Sequence, residues 1–124
     1  MKRPAAIPFE RSRSAAAPAV AAQPTPVPLR DFRLLDVWRA QIVADRDLTG
    51  TALRVAIRIS HAVNRERGYA FPGHQALAEG LCSRATLQRA LRQLEARGHL
   101  IIVPGRGRGN ANRYFVRVRR EAPE

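Results

Sequence analysis

Apolar residues recur along this chain with two periods, one helical and one extended. Phe32, Leu35, Trp38 and Ile42 fall at spacings of three, three and four, which places them on one face of a short amphipathic helix within residues 31–46. Asp31 is its expected N-cap. The run Asp47-Leu48-Thr49-Gly50 is a turn and cap signal, and the next helix is predicted over residues 51–64. There Leu53, Ala56, Ile57 and Ser60 share one face, and Val55, Ile59 and Ala62 form a second apolar edge beside it. That extra edge needs a cover. The preceding helix supplies one candidate. The other is a second copy of the chain, paired as a homodimer or cooperative array through Phe32, Leu35, Trp38 and Val55.

Beyond residue 64 the pattern shortens. Gly68-Tyr69-Ala70-Phe71-Pro72-Gly73 reads as a loop carrying one short extended piece. A short helix over residues 74–79 holds Leu77 and Ala78 and stops at Gly80. Ser83 then caps a longer helix reaching residue 97, with Leu87, Ala90, Leu91 and Leu94 on its core side and Gly98 just past its end. Two β-rich runs close the chain, residues 100–103 and 114–118. Between them lies Pro104-Gly105-Arg106-Gly107-Arg108-Gly109-Asn110-Ala111-Asn112, so the expectation is an antiparallel hairpin with a long basic tip. The fold class is α+β: a three-helix core plus C-terminal hairpin over residues 47–119, and an accessory helix at 31–46.

Residues 1–30 differ in kind. They carry Pro4, Pro8, Pro18, Pro24, Pro26 and Pro28 among many alanines and a few basic residues. Such a segment buries too little apolar surface to offset its ordering entropy and is expected to be disordered or partly polyproline II. It serves either as a passive tail or as a basic arm on nucleic acid or a protein partner.

Charge narrows the partner. The 124 residues hold 22 Lys and Arg against 10 Asp and Glu, a net charge of +12, which favours nucleic acid, an anionic membrane surface or an acidic protein. All the basic residues but Lys2 are arginine, the side chain suited to bidentate bonds with phosphate or a guanine edge. From Ser83 to Arg120 ten arginines face Glu95 alone. Cys82 is the single cysteine, so no intrachain disulfide is possible and a reducing, cytoplasmic setting at the nucleoid fits. His61, His74 and His99 lack metal-ligand spacing, so no metal, cofactor or small-molecule ligand is expected. No apolar run is long enough for a membrane span, and none forms a leader's apolar core. Gly105-x-Gly107-x-Gly109 leads into a strand without a Lys-Ser/Thr pair, so it is no nucleotide loop. Asp45 and Asp47 are read as capping and charge-balancing groups rather than paired catalytic acids, and no catalytic residue is assigned.

The run from Pro72 to Ile101, with Leu77-Ala78, Gly80, Ser83-Arg84, Thr86, Arg89-Ala90-Leu91, Leu94-Glu95 and Gly98, resembles the helix-turn-helix of bacterial winged-helix regulators. These include GntR-type repressors and the DNA-binding domains of phage and plasmid replication proteins. The resemblance covers residues 47–119 and implies a winged helix-turn-helix. By matched position it implies base contacts from Arg84 and Gln88, phosphate contacts from the Ser83 and Thr86 hydroxyls, and either role for Arg89. Ala85 departs from the family, whose members often carry a hydroxyl there, and offers only a methyl group.

The residues support the same expectation on their own. Arg84, Gln88, Arg89, Arg92 and Gln93 are long donors and acceptors on the outer face of helix 83–97, able to reach into a major groove. Gln75 opens the preceding helix. Arg106, Arg108, Asn110, Asn112 and Arg113 would bring the hairpin to an adjacent minor groove. The expected activity is sequence-specific binding of double-stranded DNA as a bacterial or phage transcriptional regulator. Alternatives are a replication-origin binder or recombination directionality factor using the same surface, and RNA or protein binding by the same fold.

Overall fold

The computed structural model describes residues 24–106 and 111–119. Among them are four helices, α1 (Leu34–Ala44), α2 (Gly50–His61), α3 (His74–Ala78) and α4 (Arg84–Ala96), and two strands, β1 (Leu100–Val103) and β2 (Arg113–Val116). Local capping chemistry sets most of these limits. Thr49 opens α2 by accepting from the Ala52 N–H, and Ser83 opens α4 by accepting from Thr86 N–H. At the far end of α4, Gly98 has φ of 81°. There the N–H groups of Gly98 and His99 donate to Glu95 O and Leu94 O, the paired bonds of a Schellman stop that needs a residue tolerant of positive φ. Helix α1 departs from its predicted start. Asp31 accepts from the Arg33 N–H and backbone turns carry the chain to Leu34, so α1 has no side-chain cap. The predicted helix to residue 64 ends at His61, because Asn64 accepts from the Glu66 and Arg67 N–H groups and turns the backbone.

Helix α2 is the centre of the core, and its buried face is Ala52, Val55, Ala56 and Ile59. Of the predicted main core face Ala56 and Ser60 are buried but Leu53 and Ile57 only half buried, so the core side is shifted toward the second apolar edge, where Val55 and Ile59 are buried. Helix α1 covers that edge with Trp38 and Ile42, both at 0 % exposure. Trp38 donates from Nε1 to His99 O at 2.9 Å, which satisfies its only polar atom while its ring fills the core. This corrects the predicted pairing surface. Trp38 and Val55 are fully enclosed within one chain, and Phe32 and Leu35 pack against the same cluster. Of the two covers open to that edge, the accessory helix is the one that packs on it. The large apolar side chains exposed on α1 are Val37 and Val43 instead.

Helix α4 lays Leu87, Ala90, Leu91 and Leu94 onto α2 and α3, the four positions its periodicity indicates. The hairpin pairs Leu100 with Val116, Ile101 with Phe115, Ile102 with Tyr114 and Val103 with Arg113. Ala70 adds a one-residue third rung: its N–H and C=O exchange hydrogen bonds with Tyr114 at 3.0 and 2.7 Å. The extended piece predicted within 68–73 therefore belongs to the sheet. Order and topology are compatible with a winged helix.

Ordered packing begins earlier than predicted. Leu29 is buried in the core and donates its N–H to Gly68 O at 2.8 Å. A Cβ on Gly68 would lie 2.7 Å from Leu29 O, so this crossing needs glycine for space as well as for its φ of 80°. The boundary placed at residue 30 thus falls before Leu29. No helix among the described residues is long and apolar enough to cross a membrane.

Candidate nucleic-acid interface

With 3.6 residues per turn, the buried positions of α4 fix what its outer side presents. Arg84, Ala85, Arg89 and Arg92 are exposed and Gln88 is half exposed, on the side away from Leu87, Ala90, Leu91 and Leu94. Arg84, Gln88 and Arg92 follow one another at steps of four and so form a single stripe. Their side chains meet no hydrogen-bond or ion-pair partner among the described residues. Three long polar groups thus stand side by side with their bonding capacity committed to nothing but solvent.

The neighbouring positions are already committed. Ser83 Oγ accepts from Thr86 N–H and donates to Thr86 Oγ1 at 3.1 Å. Thr86 Oγ1 also accepts from the Arg89 guanidinium at 3.1 Å. The two hydroxyls expected at phosphates thus build the start of the helix and tether Arg89. Gln93 has a different duty from the one predicted. Its Oε1 accepts from Thr49 N–H and Oγ1 at 3.0 and 3.2 Å, and its Nε2 donates to Asp47 O. Gln93 therefore clamps α4 to the start of α2 and leaves the proposed contact set.

Sequence reasoning did not identify Arg58 as structural. Its guanidinium donates to the carbonyls of Ala76, Leu77 and Glu79, the unpaired acceptors at the end of α3. A basic side chain on the polar side of a helix carries no signal for this, since the acceptors are brought by another helix. Gln75 is exposed at the start of α3.

At the hairpin, Asn112 Oδ1 accepts from Gly105 N–H at 3.0 Å, so it pins the base of the tip. Arg106 is exposed where the tip begins. Arg108 and Asn110 lie outside the described residues. Arg113 is exposed, with its guanidinium 5.7 Å from the centre of the Tyr69 ring, a cation–π arrangement on the outer face of the sheet.

Behind the exposed stripe, the end of α4 is tied down by a buried polar cluster. Asp45, with 4 % of its side chain exposed, accepts from Arg97 Nε and Nη2 at 2.8 and 2.9 Å and from His99 Nε2 at 2.6 Å. Arg97 reaches Asp47 as well, at 3.2 Å. Gln41 Nε2 donates to His99 Nδ1 and to Arg117 O, while its Oε1 accepts from Arg119 N–H. These contacts fix the amide orientation and leave His99 neutral, with its proton on Nε2. Burial is the main cause that lowers the His99 pKa. The Arg97 guanidinium, then His99, hold the Asp45 carboxyl well below the usual carboxylate range. Asp45 is thus a hub joining the α1–α2 turn to the end of α4: it balances charge with Arg97, as expected of it, while the expected cap of the next helix is Thr49. Two outward signals in sequence, an acid in a turn and an isolated histidine, meet only through the tertiary fold.

No family model, curated protein or solved structure matches the chain. Among the described residues no group of three His, Cys, Asp or Glu side chains is placed to hold a metal ion.

Proposed function

We propose that this chain is a winged helix-turn-helix protein that binds double-stranded DNA in a sequence-selective way, as a transcriptional regulator. The observation that carries the reading is the stripe Arg84, Gln88 and Arg92: uncommitted, exposed, and mounted on a helix whose other side is fully packed. A 13-residue helix is about 20 Å long, enough to lie along a major groove about 12 Å wide. Arg84 and Gln88 near its start are suited to base edges, Arg92 to a phosphate. The hairpin base at Arg106 and Arg113 approaches the adjacent minor groove. The Gln93 clamp and the Asp45 cluster fix the helix on its scaffold, which matters because base readout depends on side chains held to within a fraction of an ångström.

The interior favours binding over catalysis. The one His–carboxylate couple among the described residues, His99 with Asp45, is shut away from solvent and bonded at both ring nitrogens, which leaves it no access to a substrate. Selection from a random duplex library, followed by affinity measurements at two salt concentrations, tests the proposal. Recovery of a short consensus bound at least 1,000-fold more tightly than random duplex, a ratio typical of specific sites, is the expected result. Binding that is blind to sequence and steeply salt-dependent would reduce the basic surface to an electrostatic platform.

A further inference from the structure

A cluster of aromatic and basic side chains lies on the outer face of the sheet. Side chains alternate across a strand, so Tyr69 and Phe71 point outward on either side of Ala70, which is fully buried. On the paired strands Arg113 and Val103 sit opposite each other, as do Phe115 and Ile101. Tyr69 stacks on Phe115 with ring centres 4.8 Å apart, and Phe71 meets Tyr69 edge-on at 6.0 Å. Arg67 lies over the Phe71 ring and Arg113 over the Tyr69 ring. Phe71 is 44 % exposed, so part of its ring surface faces solvent beside these cations. Arg67, Tyr69, Phe71, Val103 and Arg113 line an open groove of about 590 Å³ that runs to Pro104 and Gly105 at the hairpin base, and among the described residues no acidic side chain lines it.

We infer that this groove binds an unpaired stretch of single-stranded DNA, with a base stacked on Phe71 and Tyr69 and the flanking phosphates taken by Arg67 and Arg113. Rings flanked by guanidiniums are the combination that grips single strands irrespective of sequence. The cations already resting on the rings need only swing toward phosphate to open the stacking surface. Charge argues against the chain's own first 23 residues as occupant, since they carry Lys2, Arg3, Arg11 and Arg13 against Glu10 and match the groove in sign. Among the described residues the only side-chain oxygen lining the groove is the Tyr69 hydroxyl, which accepts from Arg67. Among those residues the lining offers a ribose 2′-hydroxyl at most the remaining capacity of that one hydroxyl, which favours DNA over RNA.

The test compares two fluorescent 12-mers of equal charge, oligothymidylate and an abasic phosphodiester, by anisotropy with the full-length protein. The wild type is expected to prefer oligothymidylate about tenfold, the scale of one stacked base. Phe71→Ala, which alters no charge, should abolish that preference while leaving abasic binding within twofold. Phe71→Trp should retain it and report base stacking by quenching of the new indole. Thermal melts show whether each variant is folded, and the wild-type comparison stands without any variant. Equal binding of the two probes by the wild type overturns the proposal and leaves the face to an acidic protein segment. Tighter binding of oligouridylate than oligothymidylate overturns the assignment to DNA. Arg84→Ala should leave the preference intact, so a failure of the duplex proposal and a failure of this one give different results.

Discussion

The two ends of helix α4 treat the same side chain in opposite ways. From its start along its outer face, Arg84 and Arg92 extend into solvent with no partner among the described residues. Just past its end Arg97 is bonded to Asp45 and Asp47, and its backbone carbonyl accepts from the Arg119 guanidinium. Both ends read as equally basic in sequence, but only one has charge to offer a ligand. An arginine with a buried carboxylate in reach has exchanged its water for a fixed geometry, and a phosphate would have to compete with that carboxylate. An arginine with no acceptor in reach loses only solvent on binding. The ten arginines after Ser83 therefore overstate the interface. Arg97 is structural, Arg89 is tethered to Thr86, and the cation of Arg113 rests on an aromatic ring.

The largest effect should come from breaking the structural end. Asp45→Ala removes the acceptor shared by Arg97, His99 and the Asp47 N–H. Loss of buried hydrogen bonds to charged groups costs about 3 kcal/mol, which differential scanning calorimetry would register as a fall in Tm. The same cluster sets a pH dependence. His99 titrates below its ordinary value of 6.5 in the folded chain, so the unfolded chain binds more protons as pH drops through 6.5 and stability falls. Protonating Nδ1 would set two donors face to face, because Gln41 presents its amide N–H there. Asp45, whose pKa is also depressed from 3.8, retains its contribution until more acidic solution and then loses it. Tm should be level near pH 7 to 8, decline from about 6.5 and drop again below about 4. A Tm that rises on acidification from 7 to 5 would contradict the neutral, buried His99.

At the exposed end, Arg84→Ala should leave Tm unchanged and weaken the selected duplex by about 2 kcal/mol, roughly 30-fold, with relaxed preference at one base position. Repeating the library selection with the variant checks this. An unchanged consensus would mean that Arg84 does not read a base, and the stripe would lose its leading member.

Much of the fold was legible before any coordinates, because its signals are local. Thr49, Ser83, Gly80 and Gly98 mark helix limits through chemistry within a few residues, and the core stripe of α4 follows from its period. The exposed stripe was legible for the same reason, as the complement of that core. What escaped depends on contacts between distant residues. Gln93 points the same kind of side chain outward as Gln88, and only the nearness of Thr49, 44 positions away, distinguishes clamp from reader. Asp45 and His99 are 54 positions apart. The alternation Tyr69-Ala70-Phe71 was a signal for a sheet face, but it is too short to be decisive without Arg113 and Phe115 beside it. Trp38 and Val55 were apolar and open to two covers, each other's helix or a second copy, and periodicity cannot choose between them; the fold buries both in one core.

Gln93→Ala sharpens the distinction between clamp and reader. It should cost about 1 kcal/mol of stability, the worth of a hydrogen-bonded brace, and leave the selected consensus untouched. A changed base preference with unaltered Tm would return Gln93 to the contact set.

The smallest effect is expected at Arg92, and its form matters more than its size. Lying two turns beyond Arg84 on the same stripe, it is placed for the DNA backbone as the groove curves away from the helix. A phosphate contact adds affinity without reading sequence. Arg92→Ala should therefore weaken cognate and random duplexes by the same factor, about threefold, and reduce the slope of log affinity against log salt by about 0.9, the release of one counterion. Arg97→Ala is the control from the other end of the helix. Its guanidinium is held by Asp45 and Asp47 rather than by DNA, so the salt slope should stay as in the wild type while Tm falls. Were Arg97→Ala to flatten the slope as much as Arg92→Ala, the carboxylates at its side would not be withholding that charge, and the contrast between the two ends of α4 would fail.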